Sequence, residues 1–483
     1  MPIKKSDPDA EAALPIKLDS SSNGEYWPLA PAPELEHVIA LAQQNATANA
    51  RKLGLTRREY LTSACGAAAV LLGMNQLGCG GGSYRVSPES ALDQDAAKAA
   101  VSGDEFIFDV QTHQVSPDRP WWDVKRPSLA DYLKTIPQAE CGKPHWAQCF
   151  SDDVLIREVF LESDTQLAVV SALWGDPHPM LASEAAQTRD KVQAIGKGTR
   201  LLTHGIVQPN EAEWAKVSEH MQALLETWKI DAWKLYTVWG PNGEGYTLDG
   251  ELGMKTIARG LELGKRTFAV HKGLPLPGMN RDFTSPRDVG KAAKAFPEAV
   301  FLVYHAGWES EHVEGPYDPQ AERGVDALIR SLEEHGIGKG GNVYAELGST
   351  WRELMKKPDQ AAHVLGKLLK HVGEDRVLWG TDAIWYGSPQ DQIQAFRAFE
   401  ISAEYQEKYG YPALTPELKR KIFGLNAAAV YGVSVPELRK QQAADTISRA
   451  RPGYADAVGP SFHTHGPRTR REMLSLLRSG LGH

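Results

Sequence analysis

From residue 106 to residue 382 the chain alternates between two textures. Short runs dense in Val, Ile, Leu and Phe cover 106–113, 165–173, 200–207, 230–238, 266–271, 300–305, 342–347 and 376–382. Apolar runs of this length suit parallel strands covered on both faces. Between them lie amphipathic stretches at 211–229, 254–263, 325–335 and 361–372, whose apolar residues share one helical face. Eight strand–helix units predict an α/β fold of the (β/α)8 or TIM-barrel type with insertions. The alternative, a doubly wound sheet, usually has fewer strands and a phosphate loop after the first, and the sequence offers no such loop.

The flanks differ from the barrel. Residues 1–33 are polar and Pro-rich, and 34–52 have modest helical spacing. The text Thr56-Arg57-Arg58-Glu59-Tyr60-Leu61 then leads into an apolar run over 61–74. That run is too short to span a bilayer and has the length of a signal h-region. Paired arginines before it resemble a twin-arginine export signal, which implies the export machinery as a partner and a periplasmic destination. The other reading is a buried helix with a basic start. Gly78-Cys79-Gly80 offers a lipoprotein-type cleavage site, which would anchor the protein to a membrane, although Gln76 fits that pattern poorly. The organisation expected is therefore a signal-like segment (1–85), a barrel (86–433) and a polar C-terminal extension (434–483) with one helix at 469–477.

Composition narrows the function. With 53 basic and 61 acidic residues the formal charge is −8, which argues against non-specific binding of nucleic acid. Four cysteines in 483 residues cannot form a disulfide framework. If the first segment is removed, Cys141 and Cys149 remain, as a small disulfide or as two buried thiols.

In a barrel of this kind, catalytic side chains project from the C-terminal ends of the strands. Here those ends carry Gln111 and His113 (first run), Lys234 (fourth), His271 (fifth), His305 (sixth), Glu346 (seventh) and Asp382 (eighth). Imidazoles and a carboxylate on one rim make a site for a divalent ion, zinc most naturally and manganese as the alternative. An open position on such an ion holds a water whose pKa falls towards about 7.

The order of these motifs, finishing in Lys421-Ile422-Phe423-Gly424-Leu425-Asn426, resembles the amidohydrolase-related family. The nearer likeness is to its mononuclear branch, which includes aminocarboxymuconate-semialdehyde decarboxylase. The resemblance runs from about residue 106 to 433. It implies a metal-dependent barrel with His113, His271 and Asp382 as ligands and His305 beside the metal; Asp382 and His305 would carry the catalysis. It also allows pairing of two copies through barrel helices. One departure stands out: the family's usual first motif is His-x-His, with Glu-x-His in some members, and here it reads Gln111-Thr112-His113. Gln111 would ligate weakly, bind a metal-held water, or mark a degenerate site in a protein that binds without catalysing.

Seven of the 13 tryptophans follow strand ends: Trp121, Trp122, Trp174, Trp239, Trp308, Trp351 and Trp385. They suggest an apolar or aromatic pocket for a small-molecule substrate, or the packing of long loops. Arg281, Arg352 and Lys272 near the same rim could hold a substrate carboxylate. The expected activity is hydrolysis of a cyclic amide, ester or lactone, with non-oxidative decarboxylation as the alternative. His463-Thr464-His465 matches His-x-His but has no strand before it, so it is not read as a metal site.

Overall fold

The computed structural model describes residues 13–78, 80–121, 134, 143–175, 177–275, 279–457 and 462–476. Eight parallel strands pair in sequence order: β1 (Phe108–Thr112), β2 (Leu167–Val170), β3 (Leu201–Ile206), β4 (Ala232–Leu235), β5 (Thr267–His271), β6 (Val300–Tyr304), β7 (Val343–Glu346) and β8 (Val377–Leu378). The sheet closes on itself. Val110 donates to the Trp379 carbonyl (3.1 Å) and Asp382 to that of Gln111 (2.9 Å), while Thr112 bridges Ala383 in parallel. The fold is the (β/α)8 barrel expected. Its strands are shorter than the apolar runs because the run ends leave the ladder and turn into the loops that carry the polar residues.

Phe108, Val110, Leu167, Val169, Ala269, Leu302 and Leu378 form one buried cluster that draws on five strands. It continues into Ala427, Ala428 and Leu438, so the helices Asn426–Tyr431 and Val435–Gln442 pack against it. The C-terminal region is more ordered than its polarity suggests. Besides the expected last helix, observed at Arg470–Leu476, it forms Val435–Gln442 and Thr446–Ala457.

The N-terminal segment is built into the same body. Helix Pro33–Leu53 buries Leu35, Val38, Ala42, Ala46 and Ala50, a stripe at helical spacing. The apolar run becomes helix Ala64–Met74, with Cys65, Ala67, Ala68, Val70, Leu71 and Met74 buried in a cluster shared with Phe396 and Phe399 of the barrel. Thr56 and Glu59 form a reciprocal capping box. Arg57 donates to the Gln43 carbonyl (2.6 Å) and the Thr47 hydroxyl (2.7 Å). Of the residues named above, Cys79, Trp122 and Cys141 lie outside the described residues. Among the described residues no helix is long and apolar enough to cross a membrane.

Leu71 is fully buried, so Leu71→Ala should cost about 2–5 kcal/mol in chemical denaturation of the full chain. A loss below about 0.5 kcal/mol would show that helix Ala64–Met74 is not part of the core.

Candidate metal centre at the barrel mouth

Strand ends bring the predicted residues together. Gln111 lies on β1 and His113 just beyond it; Lys234 lies on β4, His271 ends β5, His305 follows β6, Glu346 ends β7 and Asp382 follows β8. All seven are buried. His305 (φ 64°), Ser349 (φ 56°) and Asp382 (φ 60°) sit in the left-handed region, which costs a non-glycine residue about 1–3 kcal/mol and is concentrated at functional sites.

Each imidazole has one nitrogen fixed by a carbonyl oxygen, which can only accept. His113 donates from Nδ1 to Ser171 (2.9 Å), His271 from Nε2 to Leu274 (3.0 Å) and His305 from Nδ1 to Gly348 (2.7 Å). A neutral ring therefore turns its second nitrogen inward as a lone pair. The second nitrogens of all three rings face carboxylates. His113 Nε2 lies 3.0 Å from Asp382 Oδ1, His271 Nδ1 lies 3.5 Å from Glu25 Oε1, and His305 Nε2 lies 3.4 Å from Glu25 Oε2. Lone pair against carboxylate repels unless a proton or a metal ion stands between them. Burial favours the neutral form of two rings: it pushes His305 down to about 4 and holds His271, beside His305, well below the ordinary value. His271 Nδ1, His305 Nε2 and Gln111 Oε1 have no hydrogen-bond partner. Imidazoles oriented from behind by carbonyls are the usual setting of a metal ligand. The donor set thus fits a divalent ion, and Gln111 Oε1 is free to reach one or its water.

Burial would raise Asp382, but His113, His305 and the Ser349 hydroxyl (2.6 Å) hold it well below the usual carboxylate range. Burial pushes Lys234 down to about 7; its Nζ has no hydrogen-bond partner and lies 3.5 Å from the Tyr304 ring centroid. Glu346 is not in the ligand shell. Its oxygens accept the backbone N–H groups of His305 (3.1 Å) and Gly348 (2.6 Å), and a Cβ at Gly380 would lie 1.6 Å from Oε1. It pairs with neither lysine, since Lys272 is taken by Asp288 (2.7 Å).

Two residues of the centre come from outside the barrel. Residues 13–32 run across the mouth, where Asn23 Nδ2 donates to Glu25 Oε2 (2.6 Å) and Asp382 Oδ2 (2.7 Å). This arm is pinned along its length. Lys17 donates to the carbonyls of Tyr386 (2.6 Å) and Ser388 (2.5 Å), Asp19 pairs with buried Arg352 (2.9 Å), and Tyr26 donates to Glu353 (2.9 Å). The C-terminal extension covers it: Ser22 N–H donates to the Pro467 carbonyl, and Thr464 to Asp19. Sequence reasoning missed Glu25, Asn23 and Ser349. The first two stand in a polar stretch with no periodicity, and Ser349 lies three residues past a strand end.

The tryptophans divide. Trp385 is buried with its ring 6.3 Å from His113, and Trp308 is buried edge-on to Tyr26 of the arm. Trp174 and Trp239 stack at 3.8 Å in a separate apolar cluster with Tyr236 and Phe283. Trp351 packs between Phe396 and Phe399 and donates to the Gln392 carbonyl, a core position. Trp121 donates to the Ser116 carbonyl. Arg281 is paired with Glu309 (2.6 Å) and Arg352 with Asp19. Arg281, Arg352 and Lys272, the expected holders of a substrate carboxylate, are thus already paired, while Lys234, not expected in that role, has no hydrogen-bond partner. His465 is a structural residue, 2.9 Å from buried Glu158.

Residues 213–433 match the family model described as Amidohydrolase. The match holds His271, His305 and Asp382 and begins after β3, so it covers neither Gln111 nor His113. No curated protein matches the chain. Similar solved structures include an uncharacterised TIM-barrel protein from Bordetella bronchiseptica (14% identity, 70% of this chain and 100% of that one, TM-score 0.44). Others are 5-carboxyvanillate decarboxylase from Sphingomonas paucimobilis (11%, 68% and 100%, 0.43) and 2,6-dihydroxybenzoate decarboxylase from Rhizobium (12%, 68% and 99%, 0.40).

Burial would raise the Asp19 carboxyl, but Arg352, Thr464 and Lys356 hold it well below its usual 3.8. Its contribution to docking the arm is therefore complete above pH 3.8 and lost as pH falls below it. Asp19→Ala should raise proteolytic cleavage within residues 13–32 by about tenfold or more at neutral pH, since it leaves Arg352 buried without its counter-charge. Cleavage at the wild-type rate would contradict this anchoring.

Proposed function

We propose that the protein is a metal-dependent enzyme of the amidohydrolase type that hydrolyses a C–N or C–O bond of a cyclic amide, ester or lactone. The observation that carries this reading is the pair of unpartnered inward nitrogens of His271 and His305 set against Glu25, with His113 and Asp382 beside them, a donor set suited to a cation. His113, His271 and Asp382 would hold the ion, zinc or manganese, with His305 beside it. When bound, such an ion supplies Lewis-acid polarisation and lowers the pKa of water.

The chain's own residues do the rest. Asp382, kept ionised and aimed by Ser349, accepts the proton of the attacking water and returns it to the leaving nitrogen or oxygen. His305, neutral at pH 7, stays free to orient the scissile carbonyl. Trp385 and Trp308 supply apolar walls for an apolar or aromatic substrate body.

A second reading, non-oxidative decarboxylation of an aromatic or unsaturated acid, is favoured by Lys234. A buried amine without a partner is suited to a substrate carboxylate. Asp382 or His305 would then take up a proton from water and pass it to the carbon that releases carbon dioxide.

The test is the full chain reconstituted with zinc or manganese and screened against lactones, amides, esters and aromatic acids in 18O-labelled water. Metal-dependent turnover with label in the product is expected, and Asp382→Asn should lower kcat about 10²–10⁴-fold. Release of carbon dioxide without label would replace the hydrolase with the decarboxylase. Failure to bind any divalent ion would sink both readings.

A further inference from the structure

We propose that Glu25 is a ligand of this ion, so that the N-terminal arm completes the metal centre at the barrel mouth. The inference rests on the metal-dependent reading above. Glu25, His271 and His305 are the group among the described residues whose ligating atoms all lie within 4.8 Å of one another. Glu25 reaches between the two rings, with Oε1 3.5 Å from His271 Nδ1 and Oε2 3.4 Å from His305 Nε2. These separations are too long for good hydrogen bonds. The 3.5 Å between His271 Nδ1 and Glu25 Oε1 matches the spacing of two ligands on one tetrahedral ion, which at bond lengths of about 2.0–2.1 Å lie roughly 3.4 Å apart, and His305 stands beside them.

The surroundings support the assignment. The two ring nitrogens have no hydrogen-bond partner, and each ring is fixed from behind by a carbonyl. Asn23 donates to both Glu25 and Asp382, which orients the two carboxylates together. Arg352, Glu353, Tyr386 and Thr464 hold the flanking residues of the arm. Strand β1 offers a neutral amide, Gln111, a weaker ligand than an imidazole or a carboxylate. Glu25 restores a strong ligand, from a segment about 250 residues away in sequence from His271. The arm must then remain part of the working protein, since removal of residues 1–85 would take Glu25 with it.

The test compares zinc affinity, by chelator competition, and the visible spectrum of the cobalt(II) form for the full chain, Glu25→Gln, His271→Ala and Glu34→Gln. Glu34 is an exposed residue just past the arm and controls for general loss of negative charge. Glu25→Gln is expected to weaken zinc binding at least about 100-fold, the upper end of what an outer-shell partner is worth. It should also change the cobalt spectrum, while Glu34→Gln matches wild type. Retained thermal unfolding of the metal-free variant would show that the loss is not one of folding. If Glu25→Gln binds zinc as wild type does, with the same cobalt spectrum, while His271→Ala loses the ion, Glu25 is not a ligand and the metal-dependent reading survives. If the wild-type chain takes up no ion, both fall together.

Discussion

The structure turns on the cost of shutting titratable groups away from water at one end of a barrel. Glu25, Lys234, His271, His305 and Asp382 are packed into one buried space, and burial drives most of them towards their neutral forms: Glu25 up to about 8, Lys234 down to about 7 and His305 down to about 4. Asp382 resists only because His113, His305 and Ser349 surround it. A site that keeps several desolvated groups without internal pairing is poised to bind something charged. The backbone pays towards it as well, with His305, Ser349 and Asp382 held at positive φ.

The two chain ends are what exclude the water. An ordinary barrel leaves its catalytic mouth to its own loops. Here the arm at 13–32 lies across the mouth and the segment around Thr464–Pro467 lies across the arm. The helices that follow the arm are packed into the same core as the barrel helices, which gives the arm a fixed root. Fold and site are in this sense one construction: helix Ala64–Met74 helps hold the segment that carries Glu25.

Much of the barrel could be read from the sequence because its strands are covered on both faces and so stand out as short apolar runs. His271, His305 and Asp382 could be read because they close such runs, where a barrel puts its chemistry. Gln111 was legible only as a departure from a pattern. Glu25 was not legible at all, since no periodicity marks a carboxylate that arrives from a polar, Pro-rich stretch. Trp351 misled for the opposite reason: it follows a strand end, yet the chain turns inward there and buries it against Phe396 and Phe399. The helices at Val435–Gln442 and Thr446–Ala457 were hidden by their polar surfaces. Their packing rests on few apolar residues, chiefly Leu438 and Ile447.

If one divalent ion sits where the arm meets the barrel, a crystal structure of the zinc-loaded full chain with anomalous data at the zinc edge will show it. A single peak is expected within about 2.3 Å of His271 Nδ1 and of a Glu25 carboxylate oxygen. A peak bound by His113 and Asp382 with Glu25 turned away, or no peak at the mouth, would contradict it.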